Sequence, residues 1–230
     1  MYPVPQTPYR DLPFAHVDTE AFLARVYSWM ALGLAATGFT AMAVGASPFL
    51  QHLIFGTPVF WALIIAQFVM VMAFTPLVRR LSPLAAGGVF VLYAALSGCT
   101  LGSIFLIYTA SSIAGTFFAT AGAFGALSAY GLLTKRSLAS WGSFLFMGLV
   151  GIVIASVVNL FLGSAPLGWV ISCAGVLVFT GLIAYDTQRL KDLAGYTGES
   201  GAIQGALMLY LDFINLFLFV LRLFGNRRRD

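Results

Sequence analysis

The chain has 230 residues, of which 60% are hydrophobic and 9% charged, where an ordinary soluble domain carries roughly a quarter of its residues charged. A water-soluble fold of this size could not cover its own surface, and the mean hydropathy of +0.94 is spread along the chain, so the sequence reads as an all-α integral membrane protein. The pI near 9.3 does not imply a nucleic-acid partner, because the basic residues are dispersed over short loops and form no binding stripe.

Residues 1–23 contain Pro3, Pro5, Pro8 and Pro13 among scattered charges. They lack the basic start and short apolar core of a secretory signal and read as a cytoplasmic tail. A hydrocarbon core of about 30 Å takes about 20 apolar residues in a helix. Runs of that length mark seven spans: Val26 to Ala46, Pro58 to Val78, Leu84 to Tyr108, Ile113 to Leu133, Gly142 to Leu162, Leu167 to Tyr185 and Gly205 to Phe224. They lack the alternation of a membrane barrel, and their backbone groups must be satisfied within each segment. The connections are short, so residues 24–226 are expected to form one compact bundle of seven transmembrane helices, followed by a basic tail at 227–230. Ala121 with Gly125, and Gly122 with Ala126, are candidate small-residue contacts between helices. Cys99 and Cys173 lie in apolar runs without CxxC spacing, which argues against a disulfide framework or zinc site.

Charge sets the expected orientation. Counting alternate connections puts Arg10, Arg25, Arg79, Arg80, Lys135, Arg136, Arg189 and Lys191 on the side of the N-terminus, whereas the opposite loops hold no Lys or Arg. The positive-inside rule then makes the N-terminus cytoplasmic. Arg222 and Arg227 to Arg229 follow the seventh segment and conflict with the rule if that segment crosses. The length of the segment favours a crossing over a re-entrant dip.

Among the acidic residues, Asp11, Asp18, Glu20, Asp192, Glu199 and Asp230 fall in the tails or the sixth connection, which leaves Asp186 and Asp212 inside apolar segments. A carboxylate in a spanning helix costs several kcal/mol by most scales, roughly 3 on insertion scales, and usually faces a partner or a water-filled cavity. Asp212, seven residues past Gly205, is expected about 10 Å into the membrane from the cytoplasmic side, given a rise of about 1.5 Å per residue. Asp186 approaches the same side as the sixth helix leaves, so two antiparallel helices permit the carboxylates to meet. The plainer reading of Asp186 is an interfacial residue solvated beside Arg189. Gln67, Asn159 and Asn215 read as interhelical hydrogen-bond donors and acceptors rather than ligands.

The run LMLYLDFINLFLFVLRLFGNRR, Leu207 to Arg228, closely resembles the C-terminal signature of the Bax inhibitor-1 family, also called the transmembrane BAX inhibitor motif family. SGCTLGSIFLIYTASSIAGTFFATAGAFGALSAYG, TKRSLASWGSFL and VFTGLIAYDTQRL resemble its bacterial members in the same order, so the likeness extends from Tyr27 onward. The resemblance implies a seven-helix fold with the last helix central, a calcium leak whose gating responds to pH, and placement in the bacterial inner membrane. It also implies that Asp186 and Asp212 form a proton-sharing pair on the ion pathway. The resemblance further implies an arginine at the cytoplasmic end of the second helix that latches onto that pair; counting back from Ser97 places it at Arg80, next to Arg79. The proline-rich tail has no counterpart in the signature. Calcium takes about six to eight oxygen ligands, so two carboxylates with carbonyls and water make a weak, exchangeable site, suited to passage. Calcium enters as the transported ion, with protons and lipid as the other partners; no cofactor is expected.

Two other classes compete. Aspartates on successive membrane helices resemble presenilin-type proteases, and Tyr185-Asp186 matches their first dipeptide. Leu209, Tyr210 and Leu211 replace the glycine-flanked second site, so the flexible backbone around a catalytic acid is missing and no enzyme is expected. Hydrolysis through a triad finds no support, since His16 and His52 occupy the tail and an outer loop. The third class is a regulatory protein acting through membrane-protein partners.

Overall fold

A computed structural model describes residues 19–78, 80–194 and 198–228. The tail residues Arg10, Asp11, His16 and Asp18, the second latch candidate Arg79, and Arg229 and Asp230 lie outside them. Among the described residues the chain forms helices α1 (Thr19–Ala46), α2 (Pro48–Phe55), α3 (Val59–Val78), α4 (Pro83–Leu101), α5 (Ile104–Ile107), α6 (Ala110–Leu133), α7 (Trp141–Leu162), α8 (Ala165–Leu193) and α9 (Glu199–Phe224). Seven stretches are long and apolar enough to cross a membrane: α1, α3, residues 83–107 containing α4 and α5, and α6 to α9. The fold is all-α, with seven spans.

Caps and prolines delimit these helices. Ser47, Ser82, Thr109 and Ser164 each accept from a backbone N–H in the first turn of the helix that follows, satisfying donors that have no partner within the helix. Pro48, Pro83 and Pro166 sit at first-turn positions, where a missing N–H costs nothing. Gly163, with φ 59°, ends α7 in the left-handed region that a side chain disfavours.

Several helices outrun the apolar stretches that announce them. α1 begins at Thr19, inside the stretch read as tail; α8 continues to Leu193, carrying Asp192; α9 begins at Glu199. A helix satisfies its own backbone whether lipid or water surrounds it, so apolar composition underestimates its length. The first connection contains a further short helix, α2, and the third span breaks at Gly102 before resuming as α5.

α9 packs against α1, α3, α4, α6 and α8. Its faces are specialised. Tyr210, fully buried, meets Phe90 and Tyr93 of α4 edge-on, with centroids 5.7 and 6.0 Å apart. Phe213 meets Phe117 and Phe124 of α6 at 5.4 and 5.7 Å. Edge-to-face pairs of this kind contribute about 0.5–1.5 kcal/mol beyond burial. α1 lies close on α4 because Gly98 has no side chain to strike Thr40 and the Thr37 carbonyl, and α6 lies close on α8 because Gly131 faces the Ala184 carbonyl. These glycines, not the expected ones, make the close approaches. Gly122 and Gly125 face outward, with open space where a Cβ would stand.

The seventh segment crosses. Beyond α9, Thr109 N–H donates to Asn226 O (3.1 Å), Arg228 N–H to Ile107 O (2.9 Å) and Asn226 N–H to Ser112 Oγ (2.9 Å). The α5–α6 corner stands at the opposite end of the bundle from the α6–α7 connection, where Lys191 Nζ donates to Leu132 O (2.8 Å) and Gln188 Nε2 to Arg136 O (3.0 Å). The end of α9 therefore lies opposite its start, and a re-entrant dip is excluded.

Candidate functional site

α8 and α9 are antiparallel neighbours packed along their length. Asp186 lies seven residues before the end of α8 and Asp212 thirteen residues after the start of α9. Both are buried, at 7% and 5% exposure, and their carboxyl groups lie within hydrogen-bonding contact of each other. Ionised carboxylates only accept, so a hydrogen bond between two of them needs a proton on one. Asp212 Oδ2 is buried and, the contact between the two carboxyl groups aside, accepts no hydrogen bond among the described residues. A buried acceptor without a donor costs free energy of order 1–3 kcal/mol, which marks this position for a ligand, a water or an ion.

The pair borders a cavity of about 450 Å³ between α7, α8 and α9. Phe146, Leu149, Phe179, Leu182, Met208 and Leu211 make its apolar wall, and Tyr185, Arg189 and Asn215 join the aspartates on the polar side. Arg189, one turn beyond Asp186, is exposed, and its charge acts on the Asp186 carboxyl. Asp186 is thus buried against Asp212, and the reading of it as a solvated interfacial residue beside Arg189 keeps only the arginine.

Arg80, the latch candidate, is exposed in the turn after α3, where its N–H donates to Leu77 O at 3.0 Å. It is not among the groups acting on either carboxyl. Among the described residues, the guanidinium that lines the cavity is that of Arg189.

The amide side chains divide. Gln67 joins α3 to α4 through Leu96 O and Thr100 Oγ1, each at 3.4 Å, and accepts from Ser97 Oγ at 3.3 Å. Asn159 instead accepts from Ser164 N–H at 3.1 Å to close the turn after α7, and Asn215 donates within its own helix to Leu211 O at 2.8 Å. Both were expected between helices, and local backbone groups satisfy them first.

A second polar cluster lies across α9 from the aspartates. Thr37 Oγ1 contacts Tyr210 OH at 2.7 Å and donates to Ala94 O at 2.8 Å, and Ser97 bonds to both Tyr93 and Tyr210. Tyr210 and Asp212 stand two residues apart on one helix, so their side chains point about 200° from one another. Sequence reading gives this cluster no role, although it names Tyr210 and Ser97 as landmarks and Gln67, bonded to Ser97, as an interhelical link. The available signal was a tyrosine two residues from an intramembrane acid, which needs a partner when buried.

Among the described residues no group of three or more His, Cys, Asp or Glu is placed to hold a metal ion. The oxygen donors at the aspartate cavity are the two carboxyl groups, the Asn215 side chain and the Tyr185 hydroxyl.

Comparison of the sequence with known proteins finds relatives. The sequence profile of a family described as "Inhibitor of apoptosis-promoting Bax1" matches residues 19–229. The chain is 49% identical over 217 residues to the inner membrane protein YbhL of Escherichia coli, covering 91% of this chain and 93% of that one. It is 43% identical over 216 residues to an uncharacterized protein of Borreliella burgdorferi (91% and 93% covered) and 36% identical over 218 residues to an uncharacterized membrane protein of Streptococcus pyogenes (91% and 94%).

Proposed function

The chain belongs to the Bax inhibitor-1 family, and from that premise we propose that it is a multi-pass inner membrane protein that leaks calcium, with Asp186 and Asp212 as the pH-responsive element of the ion pathway. The observation that carries this reading is the contact between two buried carboxyl groups on antiparallel spanning helices, one of whose oxygens accepts no further hydrogen bond among the described residues. A proton and a divalent cation compete for such a pair. Protonation removes the charge that attracts calcium, and deprotonation leaves two carboxylates that a cation must neutralise. With so few fixed oxygen donors, water has to complete the coordination, which favours rapid exchange.

Peptide hydrolysis fits less well. α9 is an unbroken helix from Glu199 to Phe224, and an acid in the middle of a continuous helix has no opened backbone beside it to receive a substrate strand.

Purified protein in sealed liposomes, loaded with a calcium-sensitive dye, tests the proposal. Calcium entry that depends on the protein and changes with pH is the expected result. Correctly inserted protein that passes no calcium at any pH overturns it and leaves regulation through protein partners as the reading to pursue.

A further inference from the structure

The aspartate cavity opens sideways. α7 packs on α8, and no comparable packing joins α7 to α9. Phe146 of α7 lines the cavity and is yet 63% exposed, so the rim of the cavity coincides with the outer face of the bundle. Across the gap, Met208, Leu211 and Asn215 of α9 fall on one half-buried face at helical spacing. The outer faces of α3 and α7 are the least covered of the spans, as expected of helices that meet lipid. An apolar molecule dissolved in the bilayer therefore has a path to the carboxyl pair from the lipid side.

The two buried carboxyl groups are the strongest acceptors in the lining. Asp212 Oδ2, the contact between the carboxyl groups aside, accepts no hydrogen bond among the described residues, and Asp186 supplies a second carboxyl. Asn215 donates one N–H to Leu211 O, and its carbonyl oxygen remains for a ligand alongside the second N–H. Among the described residues the cation in the lining is Arg189, which is exposed. Buried acceptors at the end of an apolar slot suit a head group rich in N–H donors on an alkyl chain, and a volume of about 450 Å³ lies within the range of about 300–1,000 Å³ for small-molecule sites.

We propose that this cavity binds a single-chain lipophilic primary amine, which enters from the bilayer between α7 and α9, lays its chain along Phe146, Leu149 and Met208, and places its nitrogen at Asp212 Oδ2 and Asp186. The proposal rests on the reading of the pair as the working site and adds a ligand to it. The amine arrives neutral, the form that partitions into hydrocarbon. Its lone pair takes the proton held between the carboxyl groups: the O–H bond breaks, an N–H bond forms, and the O–H electron pair stays on the carboxylate oxygen. The resulting ammonium faces two carboxylates, and no net charge has crossed the lipid. An anionic amphiphile meets the reverse situation, because its head group would sit against carboxylate oxygens and leave Asp212 Oδ2 unpaired.

The test uses full-length protein in phosphatidylcholine nanodiscs without calcium. Hexadecylamine carrying a photoreactive group in its chain is added, and cross-linked peptides are mapped. The matching hexadecanol and hexadecanoic acid probes serve for comparison. The amine should label residues of α7 and α9 bordering the cavity, saturably and in competition with unlabelled hexadecylamine. Asp212→Asn should weaken that labelling about tenfold or more, the size expected for loss of a charge-assisted contact. Leu149→Trp, which fills the slot and leaves both aspartates in place, should block it as well and keeps the test decisive where Asp212→Asn fails to fold. Labelling by the alcohol or acid equal to that by the amine, labelling spread over the lipid-facing helices, or labelling unchanged in Leu149→Trp overturns the proposal. Calcium flux is read separately. Absent amine labelling with intact pH-dependent flux refutes the amine site alone, and saturable amine labelling with no flux refutes the calcium reading alone.

Discussion

The backbone N–H of Arg228 donates to the carbonyl of Ile107 at 2.9 Å, and its guanidinium reaches back to Phe105 O at 3.1 Å. These bonds tie the chain beyond α9 to the corner between α5 and α6, and Tyr108 and Arg227 form an isolated antiparallel bridge between the same two segments. The basic C-terminal residues thus lie at the end of the bundle away from Lys135, Arg136 and Lys191, against the count of positive charge. Six earlier crossings and this backbone pairing outweigh a few arginines.

That arrangement makes topology testable. After Cys99 and Cys173 are replaced by Ala, single cysteines at Thr57, Ser164 and position 229 should react with an impermeant reagent in intact cells. A cysteine at Ser137 should react only once the inner membrane is opened. Reaction of position 229 together with Ser137 would contradict the pairing, and reversal of the entire pattern would overturn the cytoplasmic N-terminus.

The aspartates should respond to pH as one unit. Asp186→Asn and Asp212→Asn are each expected to remove most of the pH dependence of calcium flux near neutrality. The double substitution should add little to either one, because residues that share a proton are strongly non-additive. Unchanged pH dependence in both single variants, with correct insertion verified, reduces the pair to structural carboxyls.

Two arginines compete for the latch. The family resemblance implies Arg80, so Arg80→Ala should raise resting calcium flux severalfold. Arg189→Ala tests the guanidinium that lines the cavity. A rise in Arg189→Ala without one in Arg80→Ala transfers the role to α8, and no rise in either removes the latch.

Packing makes its own forecast. Gly131→Ala places a methyl against the Ala184 carbonyl and should lower stability by about 1–3 kcal/mol through forced separation of α6 and α8. Gly122→Ala meets open space and should stay within about 0.5 kcal/mol of the parent. Thermal unfolding in one detergent compares them directly; equal effects would mean that the α6–α8 contact is looser than described.

Tyr210 can be probed without touching the aspartates. Tyr210→Phe removes the hydroxyl from Thr37 and Ser97 and is expected to cost about 1 kcal/mol, since Thr37 keeps its bond to Ala94 O. Thr37→Val also removes that bond, and should cost more. The reverse order in thermal unfolding would place the main support of this cluster elsewhere.

Much of this protein was legible without coordinates. Seven apolar runs, six of them separated by short polar connections, determine a helical membrane bundle, because lipid offers the backbone no other partner than itself. One acid inside those runs, Asp212, and one at the end of another, Asp186, mark the candidate site, because an unneeded carboxylate there is costly. The run from Leu207 to Arg228 names the family. Tertiary structure decided what depends on azimuth and on distance in space. It turned Asp186 onto Asp212 and put Arg189 at their cavity while leaving Arg80 in an exposed turn. It chose Gly98 and Gly131 over Gly122 and Gly125 for the close helix contacts. It kept Asn159 in a local turn and carried α9 across to the α5–α6 corner. Hydropathy reports the solvent around a segment; which face of a helix meets which neighbour is set by interlocking side chains from segments far apart in the chain, and no single run of residues contains that information.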